Sequence, residues 1–508
     1  MARTLKISHK LSYPLFDIAA IRLIEAQAQA DLPEHTLMQR AGLATARLTL
    51  ALAPHAQHIW IACGPGNNGG DGFETALQLM KLGKTVSLTW TELGNNSHGS
   101  TQKQPPDARD SRLRALSAGL LISPEPPTNY DFAIDALLGI GGTLSADRPG
   151  TQLMTQWLGR MHISGAPVLC IDLPTGLNAD TGASSYTPQK HGARHTLSLL
   201  TLKPGLFTAD GRDAAGQVWL DDLSVTVPVH IKPCSMLQGA NSAMSLPQQQ
   251  RAHASHKGSF GDVAVLGGAP GMTGAALLAA RAALRAGAGR VFVALLDDAV
   301  DNVLSVDITQ PELMFRRPAA LDLKQQVLVC GCGGGQALQA NLPALLTYAT
   351  RAVLDADALN AIAADSNLQA LLAARQAHDY ATILTPHPLE AARLLQCSTS
   401  EVQSDRLSAA QKLADRFGSV VVLKGSGSVI AALGQTALIN HSGNALLASP
   451  GTGDVLAGMI GALLAAGFSA RTAAARAVFM HGHLADLWAA SGSTEALTAS
   501  ALAGLAST

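Results

Sequence analysis

Short, almost continuously apolar runs alternate with amphipathic stretches along the chain. In the first half the runs are His58–Cys63, 84–90, 132–138 and 168–173, with helical periodicity between them at 73–82 and 152–161. Unbroken apolar strands separated by helices predict a parallel sheet buried on both faces. The second half restarts the pattern. It predicts strands over 262–266, 290–296, 326–330, Arg351–Leu354, Ala381–Leu384 and 419–423, a helix over 274–286 and a long helical tail over 453–490. The segment 231–257 between them has no apolar period and is rich in Gln, Ser, Pro and Ala, the signature of a linker. No fixed-period repeat relates the halves. The expectation is two different α/β domains, 1–230 and 258–508.

Composition narrows the class. Apolar residues are 47% of the 508 and charged residues 14%, so large cores are expected and global disorder is excluded. Lys plus Arg total 36 against 37 acidic residues, which argues against nucleic acid as a partner. Six irregularly placed cysteines make no disulfide framework and suit a reducing cytosol. The N-terminus lacks a secretory apolar stretch, and no run reaches the ~18 apolar residues of a membrane span. The nearest, 455–468, is interrupted by Gly458, Gly461 and Gly467. A cytoplasmic protein without a membrane partner is expected.

Chemistry concentrates at predicted strand ends. Directly after the His58–Cys63 run comes GPGNNGGDG, residues 64–72. Its five glycines permit positive φ and close backbone approach, so N–H groups can converge on an anion, helped by the following helix N-terminus. Asn67, Asn68 and Asp71 add side-chain donors and acceptors. Two more strand ends carry Asp135 (DALLGIGG) and Asp172 with Thr175 (IDLPTGL). Each Asp alone fits a turn or a helix cap equally well. Three such ends on one sheet edge point to a ligand crevice. Asn68, Asp135 and Thr175 offer only oxygen ligands, suited to a hard cation such as potassium, and Asp172 suits general acid–base work.

These motifs, with LMQRAG at 37–42, resemble the NAD(P)H-hydrate epimerases over roughly 10–225. The resemblance implies a Rossmann-like, three-layer αβα domain. It implies that Asn67, Asn68, Gly69, Gly70 and Asp71 touch the hydrated dinucleotide, and that Gly139, Ile140, Gly141, Gly142, Thr143, Leu144 and Ser145 line it. It further implies that Asn68, Asp135 and Thr175 hold potassium while Asp172 serves epimerisation. Thr175 stands where that family commonly has Ser, and the hydroxyl is kept.

In the second half SPGTGDVLAG, 449–458, sets Gly453 and Asp454 at the start of an apolar helix. Backbone N–H groups there form an anion hole, and Asp454 could deprotonate a hydroxyl attacking a phosphate, or simply favour the helix dipole. The strand 419–423 leads into a glycine-bearing turn, Lys424, Gly425, Ser426, Gly427 and Ser428, which reads as a phosphate loop or an ordinary hairpin turn. His387 lies between two prolines in TPHPLE, and GGAPGMTGAA (267–276) and GCGGG (331–335) are further glycine-rich strand ends. The Cys330-Gly331-Cys332 triplet has no further ligands nearby in sequence, so zinc is not expected. His481 and His483 lie in the helical tail and read as structural.

With HKGSFG, ALRAGAG and DADALN, this half resembles the ribokinase-like fold and, within it, the ADP- or ATP-dependent NAD(P)H-hydrate dehydratases, over about 250–490. The resemblance implies that Ala275, Gly335 and His387 contact the hydrate. Lys424 to Ser428 and Gly453 would bind ADP, Mg2+ would accompany the nucleotide, and Asp454 would be the catalytic carboxylate. Residues 444–448 depart from that family's pattern. The two halves together resemble the bifunctional NAD(P)H-hydrate repair enzymes, with hydrated NADH or NADPH and ADP as small-molecule partners and a homo-oligomer as the expected assembly. The alternative is a ribokinase-like kinase of a small alcohol, of hydroxymethylpyrimidine type, with an accessory binding domain.

Overall fold

The computed structural model describes residues 4–92, 104–145, 147, 150–186, 192–244, 253–254, 256–296 and 306–506. The chain forms two compact units: Met1–Ser8 with Pro14–Ser235, and His9–Tyr13 with Met236–Thr508.

The first unit is built on an eight-stranded sheet in the order Leu5–Lys6, Gln217–Asp221, Arg194–Leu199, Val168–Ile171, Phe132–Ala136, His58–Cys63, Thr85–Trp90 and Ile122–Ser123. Every pairing is parallel except that of the Leu5–Lys6 edge. Alternate strand residues enter opposite cores. Ile59, Ile61 and Ile134 pack on one face, and Trp60, Ala62 and Ala133 on the other. That explains the unbroken apolar runs, since both faces are covered. The chain runs outward from His58–Cys63 through Thr85–Trp90, then returns to place Phe132–Ala136 on its other side. The carboxyl ends of His58–Cys63 and Phe132–Ala136 therefore flank a switch point, where doubly wound sheets leave a crevice.

The second unit holds a sheet ordered Met314–Phe315, Arg290–Leu295, Asp262–Gly267, Val327–Cys330, Arg351–Leu354, Ala381–Leu384, Val420–Leu423, Val429–Ala432, Gln435–Asn440 and Ser235–Gln238, with Tyr13–Leu15 at the edge. Its first seven strands pair in parallel, and an antiparallel meander follows. Val263 and Val265 face one helical layer, Ala264 and Leu266 the other. Its switch point lies between Asp262–Gly267 and Val327–Cys330, below the glycine-rich segments 267–276 and 331–335.

Two expectations change. The segment read as a linker contains the strand Ser235–Gln238 and the short helix Ala240–Ala243. Four residues with Ser235, Leu237 and Gln238 buried are too short to show a period; Gln238 is retained inside by donating to Ala475 O at 3.0 Å. Residues 245–252 and 255 of that segment lie outside the described residues. The helical tail is two helices, Thr452–Ala465 and Ala470–Ala490. Gly467 at φ +90° ends the first and the Ser469 hydroxyl caps the second.

Candidate active sites

In the first unit the helix Asn67–Lys81 begins inside the GPGNNGGDG motif, with Gly66 as its N-cap. None of the motif's glycines has positive φ. Four of them require close packing, while Gly66 has open space around it. A Cβ on Gly64 would lie 1.8 Å from Leu137 O, one on Gly69 2.0 Å from Gly64 O, one on Gly70 2.7 Å from Met38 and Ala108, and one on Gly72 2.6 Å from Cys63 Sγ. Gly72 thus seats the helix start against the sheet and Gly70 against the neighbouring helices, and Asn67 and Asn68 are left at its first turn.

Asn68 is 7% exposed, and neither amide atom has a partner among the described residues. Gly139 lies over it, with a notional Cβ 3.6 Å from Asn68 Oδ1. Asp135 sits beside this region at 2% exposure, accepting from Thr175 Oγ1 at 2.8 Å, Thr175 N at 3.0 Å and Leu137 N at 3.2 Å. Burial pushes its carboxyl above the ordinary carboxylate range, against the pull of the Thr175 bonds. A buried carboxyl and an unsatisfied amide oxygen, carried at the ends of neighbouring strands, are oxygen donors of the kind that suits a large monovalent cation.

Asp172 follows the Val168–Ile171 strand at φ +65°, a left-handed conformation that Asp tolerates better than most residues. Its N–H donates to Leu197 O at 2.7 Å, and its carboxylate accepts from Leu199 N at 3.1 Å and pairs with Lys203. Lys203 is wholly buried and also donates to Ser198 Oγ and Leu199 O. Strain plus a buried cation hold this carboxylate in one orientation.

A cavity of about 350 Å³ opens among these groups, without Asp135 or Thr175 in its lining. Asn67, Asn68, Asp71, Gly139, Ile140, Gly141, Gly142 and Asp172 line it, as do Arg22, Glu25 and Gln29. Gly69, Gly70, Thr143, Leu144 and Ser145 do not line it. Leu144 packs toward Gly176 and the Trp60 side of the core instead.

In the second unit the helix Thr452–Ala465 starts at Gly451, whose φ is +87°. Thr452 Oγ1 donates to Leu447 O and Ser449 O, both at 2.9 Å, and buried His481 bonds Thr452 O through Nε2 at 2.8 Å. Burial drops the His481 pKa to about 4, so the ring is neutral and Nε2–H donates. His481 is therefore a brace for the turn. Asp454 stands in the first helical turn, its pKa pushed up to about 7 by burial and then by the nearby Asp355 charge, with Lys424 opposing.

Around Asp454 the other strand ends converge. Lys424 Nζ donates to Asp355 Oδ1 at 2.6 Å, and Thr385 Oγ1 to the same oxygen at 2.8 Å. A Cβ on Gly453 would lie 3.4 Å from Lys424 Nζ, so the hairpin turn and the helix start meet there. The Lys424–Ser428 turn joins Val420–Leu423 to Val429–Ala432, with Gly425 at φ +138° and Gly427 at φ +61°. Buried Arg406 fixes it through Leu423 O and Lys424 O, at 3.2 and 3.1 Å. Cys332, Asp355 and Asp454 place ligand atoms within 4.8 Å of one another. The sequence distance between them hid this grouping. Asp355 is already committed to Lys424, and burial drives the Cys332 thiol well above its ordinary range, so the group is not a ready metal cage.

Ala275 opens the helix Thr273–Arg285, and a Cβ on Gly333 would touch it at 3.0 Å. Gly335 N donates to Asp357 Oδ2 at 2.9 Å. Both thus sit at the switch point. His387 caps the helix Pro388–Leu395: Nδ1 accepts from Leu389 N and Glu390 N at 3.1 and 3.2 Å, which puts the ring proton on Nε2, 3.3 Å from Glu390 Oε1. In the divergent 444–448 stretch, Asn444 caps Ala445–Leu447 and donates to Asp486 at 2.9 Å.

Comparison with known proteins places both halves. A family model described as YjeF-related protein N-terminus matches 34–205, and one described as NAD(P)H-hydrate dehydratase matches 263–505. The bifunctional NAD(P)H-hydrate repair enzyme of Escherichia coli (strain K12) is 36% identical over 488 residues, covering 94% of this chain and 90% of that protein. The chain belongs to the bifunctional NAD(P)H-hydrate repair enzyme family. An ADP-dependent (S)-NAD(P)H-hydrate dehydratase of Neisseria meningitidis serogroup B (strain ATCC BAA-335 / MC58) is 41% identical over 266 residues, 51% of this chain and 88% of that one. A Bacillus subtilis ADP/ATP-dependent NAD(P)H-hydrate dehydratase, co-crystallized with ATP/Mg2+, is 31% identical over 52% of this chain and 93% of its own, with TM-score 0.44.

Within this family member, sequence reasoning missed Arg22, Glu25 and Lys203 at the first site, and Asp355, Cys332 and Arg406 at the second. Arg22, Glu25 and Gln29 recur at i, i+3 and i+7 on the helix Ile18–Asp31, a polar face that helical spacing could have revealed. Lys203 reads as a surface residue until the fold buries it.

Proposed function

We propose that this chain restores hydrated NADH and NADPH in two steps, epimerising the R and S hydrates in the first unit and dehydrating the S form with ADP in the second. The observation that carries it is the pairing of two polar strand-end clusters, on the two family-matched halves, each suited to one step. In the first unit Asn67, Asn68 and Asp71 face the dinucleotide across the Gly139–Gly142 turn. Asn68, Asp135 and Thr175 would hold potassium, whose charge offsets the buried Asp135 carboxylate. Asp172, oriented by Lys203, moves the proton of the water that leaves or joins C6.

In the second unit the C6 hydroxyl is a poor leaving group and must first be phosphorylated. Asp454 takes its proton as the oxygen attacks the β-phosphoryl of ADP, and AMP departs. The Gly451–Asp454 backbone N–H groups and the Lys424–Ser428 turn meet the developing phosphoryl charge. Mg2+ would accompany ADP and supply charge neutralisation on its phosphates. The C6–O bond then breaks as the ring nitrogen donates its electrons, C5 loses a proton, and phosphate leaves with the dihydropyridine restored. Ala275, Gly335 and His387 are the residues we assign to the ring and amide of the hydrate. ADP is chosen over ATP because the relative 41% identical over the dehydratase half is named ADP-dependent.

Product analysis tests the reading. Incubation of (S)-hydrate with ADP is expected to yield dihydronicotinamide absorbance, AMP and free phosphate in equal amounts. A stable phosphoester instead would give the small-alcohol kinase reading.

A further inference from the structure

Epimerisation at C6 removes oxygen from one face of a ring and adds it to the other, so two proton-transfer groups serve it better than one. Asp172 is one of four carboxyls that line the first unit's cavity, with Asp71, Asp107 and Glu25. Glu25 comes from a different element. Glu25, on the helix Ile18–Asp31, lines the same cavity of about 350 Å³ from that helix's polar face, beside Arg22 and Gln29. Its surroundings are the opposite of those of Asp172. Asp172 is paired with the wholly buried Lys203. Glu25 is half-buried and has no ion-pair partner within 4 Å among the described residues.

We propose that Glu25 is the second proton-transfer residue of the epimerase site, protonating the departing C6 hydroxyl while Asp172 deprotonates the entering water. The proposal rests on the reading of the first unit as an epimerase. Burial, and then the Asp172 charge, hold the Glu25 carboxyl above its ordinary range, with Asp107 adding and Lys203 and Arg22 opposing. A carboxyl without a cation partner facing one that is paired to a lysine is a usual arrangement of acid and base. Asp71, in the same cavity, is also pushed up, by burial and then by the Asp172 and Glu25 charges. The step balances. Glu25 gives a proton, the C6–O bond breaks with the electron pair of N1 closing to C6=N1, and water leaves. A water then adds to the other face of C6, its proton goes to Asp172, and the pair returns to N1. Proton exchange with solvent resets the two carboxyls, and the reverse reaction uses them in exchanged roles.

The test uses the full-length enzyme with ADP and either pure epimer, since only the R hydrate needs the first unit. Glu25→Gln is expected to slow recovery from the R hydrate, once the uncatalysed background is subtracted, by at least about 100-fold, leaving recovery from the S hydrate unchanged. The parent's R-hydrate rate is expected to fall at alkaline pH as Glu25 loses its proton, and Glu25→Asp, which keeps a carboxyl, to retain that alkaline limb at a lower rate. Parent-like R-hydrate recovery by Glu25→Gln, persistence of the alkaline limb in that variant, or loss confined to Asp71→Asn would overturn the assignment. A parent enzyme that leaves the R hydrate untouched would bring down the epimerase reading itself.

Discussion

At the scale of single residues, Asp454 carries the most specific expectation. It must be ionised to accept a proton, and its pKa stands at about 7, so the dehydration rate should climb with pH through that value. Asp454→Asn should cost at least about 100-fold in S-hydrate turnover and flatten that limb. The same shift has a stability consequence of fixed sign. Its folded pKa lies above the ordinary carboxylate value, so ionisation opposes folding. That cost is absent below the unfolded pKa and complete above the folded one. Asp454→Asn should therefore raise the melting temperature more at about pH 8 than at about pH 4, measured by calorimetry on the same protein. Asn68 gives a second test at this scale. Its buried, unpartnered amide suits a cation, so Asn68→Leu should raise the potassium concentration that half-saturates epimerisation while S-hydrate turnover stays unchanged.

At the scale of elements, helices reach these sites because small residues let them. Gly458 of Thr452–Ala465 is pressed on Thr273–Arg285, where an added Cβ would stand 2.0 Å from Ala279 O, and a Cβ added to Gly461 would stand 2.5 Å from Val329 Cγ2. Gly458→Val must push the helices apart, and a loss of about 3 kcal/mol in unfolding free energy, with dehydratase activity falling alongside, is expected in chemical denaturation. Element positions were plain in the sequence wherever apolar runs were long. His58–Cys63, Arg351–Leu354 and Ala381–Leu384 form over the residues their patterning indicates. Ser235–Gln238 was hidden because a four-residue strand offers no period to read. The GPGNNGGDG glycines were legible as special, but for a different reason than φ: at four of the five, all but Gly66, the surrounding chain leaves no room for a Cβ. Glu25 and Lys203 stayed hidden because nothing local marks them; only the fold brings a helix face and a buried lysine to the Asp172 strand end.

At the scale of the whole molecule, each unit holds its own sheet, its own switch point and its own polar cluster. No helix of the described residues is long and apolar enough to cross a membrane. The two chemistries should accordingly be separable. An equimolar mixture of Asp172→Asn and Asp454→Asn proteins should repair the R hydrate, although neither variant alone does so above background. Failure of the mixture would mean that the intermediate passes only within one chain.

The most direct single measurement follows dihydronicotinamide absorbance after pure R hydrate meets the full-length enzyme, first without ADP and then with it. Conversion toward the S hydrate is expected with no absorbance gain until ADP is added, then full recovery with one AMP and one phosphate per cofactor. Absorbance recovered without ADP, or ADP consumed into a stable phosphoester, would contradict it.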